Sequence, residues 1–84
     1  MTKDQFMKKL YRLQVLQQLV VGMPCITFKV DTFTTRDGAS AIEWMILKGE
    51  EYLKSGTVTE DCEEFRANEM ITELHDYIGS RGWI

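Results

Sequence analysis

Between Thr2 and Val21 the apolar residues recur at helical spacing. On a wheel of 100° per residue Phe6, Leu10, Leu13 and Val20 share one stripe. Thr2 is placed to cap the helix, Asp4 sits in the first turn at the positive end of the dipole, and Gly22 with Pro24 marks the stop. Together these predict a helix over about residues 3–21. Val15 and Leu19 fall on the opposite side among Lys8 and Arg12, so its second half is apolar nearly all round. Such a helix is either sandwiched between two layers or pressed against another molecule. Past Pro24 the period drops to two. Ile26, Phe28, Val30, Thr32 and Thr34 alternate with Thr27, Lys29, Asp31, Phe33 and Thr35, which predicts an amphipathic strand. One strand cannot satisfy its own backbone, so it requires a partner strand.

Two continuations diverge at Thr35-Arg36-Asp37-Gly38. In one, Asp37-Gly38 turns a hairpin and Ser40–Leu47 returns as a strand with Ile42, Trp44 and Ile46 on one face. In the other, Ser40 caps a helix and Glu43, three residues on, completes a capping box. A helical stripe of Ile42, Met45, Ile46, Gly49 and Leu53 then leads to a stop at Gly56. The stripe runs across Glu50 and Glu51 to Leu53, longer than an ordinary strand, and favours the helix. Thr57–Thr59 reads as a short connection, with Thr59 capping a last helix opened by Glu60, Asp61, Glu63 and Glu64. Ala67, Met70, Ile71, Leu74, Tyr77 and Ile78 gather on about one third of that helix's wheel. Residues 79–84 form a tail ending in Trp83 and Ile84.

The expected fold is therefore α+β: one compact domain over residues 1–84, with an N-terminal helix, one strand (or a hairpin), then two helices packed on a minimal sheet. From the strand onward, over residues 26–78, this order of elements resembles that of ribbon-helix-helix DNA-binding proteins. The resemblance is one of layout and implies a dimer whose strands pair across a two-fold axis and enter the major groove.

At 84 residues the chain holds one thin core, which raises the expectation of a homo-oligomer covering more apolar surface. The net charge of −3 is unevenly distributed. Residues 1–36 carry a balance of +4 and residues 37–84 one of −7. Such a split either closes on itself in the fold or leaves two faces of opposite sign for partners. Cys25 and Cys62, 37 residues apart, form no motif and fit a reducing compartment. No apolar run approaches a membrane span, and polar residues from Tyr11 to Gln18 interrupt any signal-peptide core. The expectation is a cytoplasmic protein with an intact start.

Chemistry is sparse. The single histidine, His75, borders the apolar face of the last helix. Cys62 lies 13 residues earlier on the same proposed helix, about 20 Å away at a rise of about 1.5 Å per residue, too far to act with it as a nucleophile and base. No zinc-ligand spacing, EF-hand loop or glycine-rich phosphate cradle occurs. The acids at the start of the last helix suit its dipole, and exposed carboxylates lack the raised pKa of a general acid. The expected protein is non-enzymatic, without cofactor or metal: a self-associating interaction or regulatory module. Its candidate partner surface comprises Phe33 and Trp44, large aromatics off the core stripes, and the acids Glu63, Glu64, Glu69 and Glu73, suited to a basic protein partner. The alternative is nucleic-acid binding through Lys8, Arg12, Lys29 and Arg36. An overall pI near 5.0 and so few cations make it the weaker expectation.

Overall fold

The computed structural model describes residues 1–84. Helix α1 (Lys3–Val20) begins in a reciprocal capping box. Thr2 Oγ1 accepts from the Gln5 amide (3.2 Å), and Gln5 Oε1 accepts from the Thr2 amide (2.8 Å). Phe6, Lys9, Leu13, Leu16 and Val20, at alternating spacings of three and four, form its buried face. The chain then turns through Gly22–Cys25 into three antiparallel strands, β1 (Ile26–Thr34), β2 (Ser40–Lys48) and β3 (Glu51–Thr59), in the order β1-β2-β3. Helix α2 (Glu64–Ser80) follows and buries Ala67, Ile71, Leu74 and Ile78.

The turns explain why the middle of the chain is sheet. Between β1 and β2 the Gly38 amide donates to Thr35 O (2.9 Å) and the Thr35 amide to Ala39 O (2.7 Å), with Gly38 in the left-handed region at φ +88°. Between β2 and β3 the loop is Gly49-Glu50 alone, flanked by the paired Lys48 and Glu51. Gly49 takes φ +62° at its first position, the requirement of the two-residue turn that matches strand twist.

Both helices lie on one face of the sheet. Phe28 on β1, Ile42, Trp44 and Ile46 on β2 and Val58 on β3 join the buried residues of α1 and α2 in a single core. The opposite face carries Thr27, Lys29, Asp31 and Phe33, then Ala41, Glu43, Met45 and Leu47, then Ser55 and Thr57. Only 15 of 84 residues are buried, as a two-layer slab 36 × 23 × 16 Å in extent dictates, so most of each element's outer side is surface. No helix is long and apolar enough to cross a membrane.

The expected strand followed by two helices is overturned: the order is α-β-β-β-α. Residues 40–48 are the central strand, not a helix, and Ile42, Trp44 and Ile46 share its inner face, as the hairpin alternative had them. The apparent capping box dissolves because Ser40 pairs with Thr34 and Glu43 with Asp31 across the β1–β2 ladder. Residues 51–59 form a further strand, and Thr57–Thr59 is its end rather than a connection. The last helix begins at Glu64 with Glu63 at its N-cap, not at Thr59. With every strand partnered inside the chain, neither the unpaired strand nor the ribbon-helix-helix layout survives.

One cross-strand pair works against the sheet. Asp31 and Glu43 are direct partners on the solvent face, both exposed, and like charges so placed repel. Glu43→Thr is expected to raise stability by about 0.5 kcal/mol and the melting midpoint by roughly 2–4 °C, read by thermal denaturation. No rise would mean that Lys29, diagonal to Glu43, already neutralises the pair.

Candidate interaction surface

Helices α1 and α2 run parallel, aligned by contacts along their length. The Met1 ammonium donates to the carbonyls of Glu60 (2.8 Å) and Cys62 (3.1 Å), which holds the start of α1 beside the approach to α2. Further along α1, Lys9 Nζ pairs with Glu64 Oε2 at 3.1 Å, and beyond it Arg12 Nη1 donates to Asn68 Oδ1 at 3.1 Å. Beyond this bond the helices open into a cleft of about 260 Å3 lined by Tyr11, Arg12, Val15, Leu16, Leu19 and His75. Leu16 forms its floor from the core. Tyr11, Val15 and Leu19, each four residues from the next, stand on its α1 wall at 67%, 40% and 54% exposure. A second, shallower depression lies on the outer side of α2, between Phe65, Asn68, Glu69, Thr72 and Glu73.

The charges flanking this surface are sorted. Lys8 and Arg12 lie exposed on α1 beside the apolar stripe, and Glu69 and Glu73 lie exposed on α2. Arg12 stands at the groove itself, where it bonds Asn68 and lines the cleft, Lys8 lies one turn before it, and the carboxylates stand on the outer side of α2. The rest of the molecule offers less. Gln17 Nε2 donates to the Phe28 carbonyl (3.0 Å) beside edge strand β1, and the outer sheet face interrupts its apolar residues with Lys29, Asp31 and Glu43.

The residues singled out from sequence scatter over the molecule. Phe33 is exposed on the outer sheet face, across from Ala41. Trp44 is in the core at 2% exposure, not on a partner surface, because the residues around it form a strand and its position on a helical wheel has no meaning there. Trp83 packs edge-on against Tyr77, with ring centroids 6.0 Å apart. Glu63 is exposed at the N-cap of α2, and Glu69 and Glu73 share the outer side of that helix. Glu64 departs from them: it is half-buried and pairs with Lys9, a lysine on the core stripe. Of the cations, Lys8 and Arg12 lie on the helical layer, Lys29 on the opposite face of the slab and Arg36 in the β1–β2 turn, so they form no common surface.

Tyr11 and the Lys9–Glu64 pair were missed from sequence. The spacing Tyr11, Val15, Leu19 was there to find, since three large residues four apart on a solvent side form a stripe. The Lys9–Glu64 pair spans 55 positions and leaves no local trace. Chemically the surface offers apolar contact, a guanidinium, an imidazole and carboxylates. No group of three or more His, Cys, Asp or Glu side chains is arranged to hold a metal, and Cys25 and Cys62 are free thiols. No protein-family model matches the sequence, and no curated protein matches it.

Proposed function

We propose that the protein is a non-enzymatic interaction module that self-associates through its helical layer, with the acidic outer side of α2 selecting a basic counterpart. The observation that carries this reading is the exposed stripe of Tyr11, Val15 and Leu19 along the α1–α2 cleft, with Arg12 in that cleft and carboxylates on the outer side of α2. A monomer gains nothing from leaving three large apolar side chains in water at one place, and covering them returns roughly 25 cal/mol per Å2. The thin core adds to the argument, because a two-layer slab with few fully buried residues is stabilised by whatever covers its outer side. Two free thiols fit a reducing, cytoplasmic setting.

Light scattering behind a sizing column, over a concentration series reaching about 100 μM, tests the reading. The weight-average mass is expected to rise from the 9.8 kDa of one chain towards twice that value. Val15→Ser/Leu19→Ser, at two exposed positions, is expected to keep the circular dichroism spectrum and hold the mass at the lower value. A wild type that stays at 9.8 kDa throughout refutes self-association. A double variant that still dimerises places the contact away from this stripe.

A further inference from the structure

We infer that the free edge of β1 is a separate docking site, which takes an extended segment of a partner protein as a fourth strand of the sheet, with apolar side chains turned towards α1 and a basic one opposite Asp31.

The register fixes which backbone groups are free. The Gly49 amide donates to Cys25 O (2.8 Å) at one end of the β1–β2 ladder and the Thr35 amide to Ala39 O (2.7 Å) at the other, and the pairing between them is unbroken. Odd-numbered residues of β1 therefore bond to β2, and the amides and carbonyls of Ile26, Phe28, Val30, Thr32 and Thr34 face outwards. Two of these outward groups are met inside the chain. The Ile26 amide donates to Met23 O (3.3 Å), and Phe28 O accepts from Gln17 Nε2 (3.0 Å). No turn, cap or side-chain bond reaches those of Val30, Thr32 and Thr34. Beside this free run lies a groove of about 430 Å3, with Phe6, Met7 and Leu10 of α1 on one wall and Thr32 and Thr34 on the other. An edge strand bordered by an apolar helix wall suits strand addition, in which main-chain bonds supply affinity and alternate side chains supply specificity.

The same geometry selects the occupant. Helix α1 runs along β1, because Met7 and Leu10 lie beside the end of the strand and Gln17 beside its start. Antiparallel pairing of β1 with its own copy would set the two strands about 4.8 Å apart with both helical layers on one side. The two α1 helices, which need roughly 8–10 Å between their axes, would then collide. A lone extended segment brings no helix with it. Its residues opposite Val30, Thr32 and Thr34 turn to the α1 side, where Met7 and Leu10 favour apolar side chains. Those opposite Asp31 and Phe33 lie on the outer face of the sheet. Asp31 already faces Glu43 across the β1–β2 ladder, so a lysine or arginine arriving on its other side offsets a repulsion present in the free chain. The site does not depend on self-association, since Tyr11, Val15 and Leu19 line the α1–α2 cleft and take no part in this groove.

Titration of the isotope-labelled full chain with a capped synthetic peptide, alternating leucine with threonine and carrying one lysine among the threonines, tests the site by amide NMR. Saturable binding is expected, with hydrogen exchange of the Val30, Thr32 and Thr34 amides slowed about tenfold or more in the complex. Glutamate in place of the peptide's lysine is expected to weaken binding roughly fivefold. Thr32→Pro removes one outward donor while every β1–β2 bond stays in place, and is expected to weaken binding about tenfold, whereas Thr32→Val keeps the donor and the affinity. Where Thr32→Pro fails to fold, N-methylated peptides decide. Methylating either the leucine or the threonine amides blocks one edge of the peptide at a time, so one set is expected to abolish binding and the other to leave it intact. Val15→Ser/Leu19→Ser is expected to bind the peptide as the wild type does, which separates this site from the helical layer. No saturable binding by about 1 mM peptide, or binding that leaves the three amides exchanging freely, overturns the site. Protection of those amides that grows with protein concentration in the absence of peptide makes a second copy the occupant and overturns the assignment to a partner's segment.

Discussion

Gly56→Ala is expected to cost about 2 kcal/mol of stability and to lower the melting midpoint by roughly 8–16 °C. Gly56 lies on β3 directly across from Trp44 on the central strand, and the indole occupies the space where a side chain would stand. A Cβ at this position would stand 2.2 Å from Trp44 Cζ2, 2.6 Å from Cε2 and 2.8 Å from Cη2, well inside van der Waals contact. Neither side gives way easily. The ring is 2% exposed beneath both helices, and its strand is held by ladders on both sides. Replacing glycine removes some freedom from the unfolded chain, a gain of up to about 1 kcal/mol, but overpacking a rigid core costs roughly 1–3 kcal/mol and more where the overlap is this deep. The steric term wins. Urea titration of the four proteins of a double-mutant cycle isolates the cause. In a Trp44→Leu background the same Gly56→Ala change is expected to cost less than about 0.5 kcal/mol, because the ring that occupies the space is gone. An unchanged cost in that background would place the penalty in the β3 backbone rather than in the contact.

The same pair shows how far the fold can be read from the residues. Helix α1 was legible because its cap, its stripe and its stop agree, and the packing face of α2 because Ala67, Ile71, Leu74 and Ile78 keep strict helical spacing. The middle was not. A central strand of a three-stranded sheet has neighbours on both sides, and β2 carries apolar residues on both faces: Ile42, Trp44 and Ile46 inward, Ala41, Met45 and Leu47 outward. Its period of two is thereby masked, and Ile42, Met45, Ile46 and Gly49 fall into helical register by coincidence. The signal that settles the matter is the two-residue loop Gly49-Glu50 between Lys48 and Glu51, which no helical stripe explains. Strand β3 is faint for another reason. It is an edge strand with only Val58 fully buried, and a register shift at Ile46/Leu47 breaks the alternation. Gly56 looked like the end of a helix. It is a slot for an aromatic ring.

The candidate surface was half legible. The opposed charges of the two halves meet at the edge of the core once, where buried Lys9 pairs with Glu64. The others emerge on adjacent helices of one layer, because α1 belongs to the basic half of the chain and α2 to the acidic half, and the meander between them sets the two helices side by side. Val15 and Leu19 were identifiable as apolar positions off the core stripe. What they line was not, because the cleft exists only once α2 brings His75 against them. That juxtaposition depends on the sheet, the part least visible in the residues.

The alignment of the two helices depends in turn on Lys9 and Glu64, and here the two halves of one ion pair are expected to behave differently. Glu64→Gln should lose about 2 kcal/mol, whereas Lys9→Met should stay within about 1 kcal/mol of the wild type. Lys9 sits between Phe6 and Leu13 on the buried stripe of α1, its side chain 7% exposed, with its ammonium 3.1 Å from Glu64 Oε2. Removing the carboxylate leaves that ammonium without its ionic partner in an apolar setting, which for a fully enclosed charge costs roughly 3–5 kcal/mol. The Glu64 side chain is 40% exposed, so water reaches the rim of the pair and the cost falls short of that range. Loss of a negative charge from the first turn of α2 adds roughly 0.3–1 kcal/mol through the helix dipole. Lys9→Met removes the charge at its source, fills the space of the lysine stem, and leaves a half-exposed carboxylate where the helix start favours one. Adding Glu64→Gln to Lys9→Met should then cost only that dipole contribution, a coupling that chemical denaturation of all four proteins measures directly. If Glu64→Gln alone proves no more costly than it is in the Lys9→Met background, the ammonium reaches water without its partner, and the capping and core contacts alone hold α1 in register with α2.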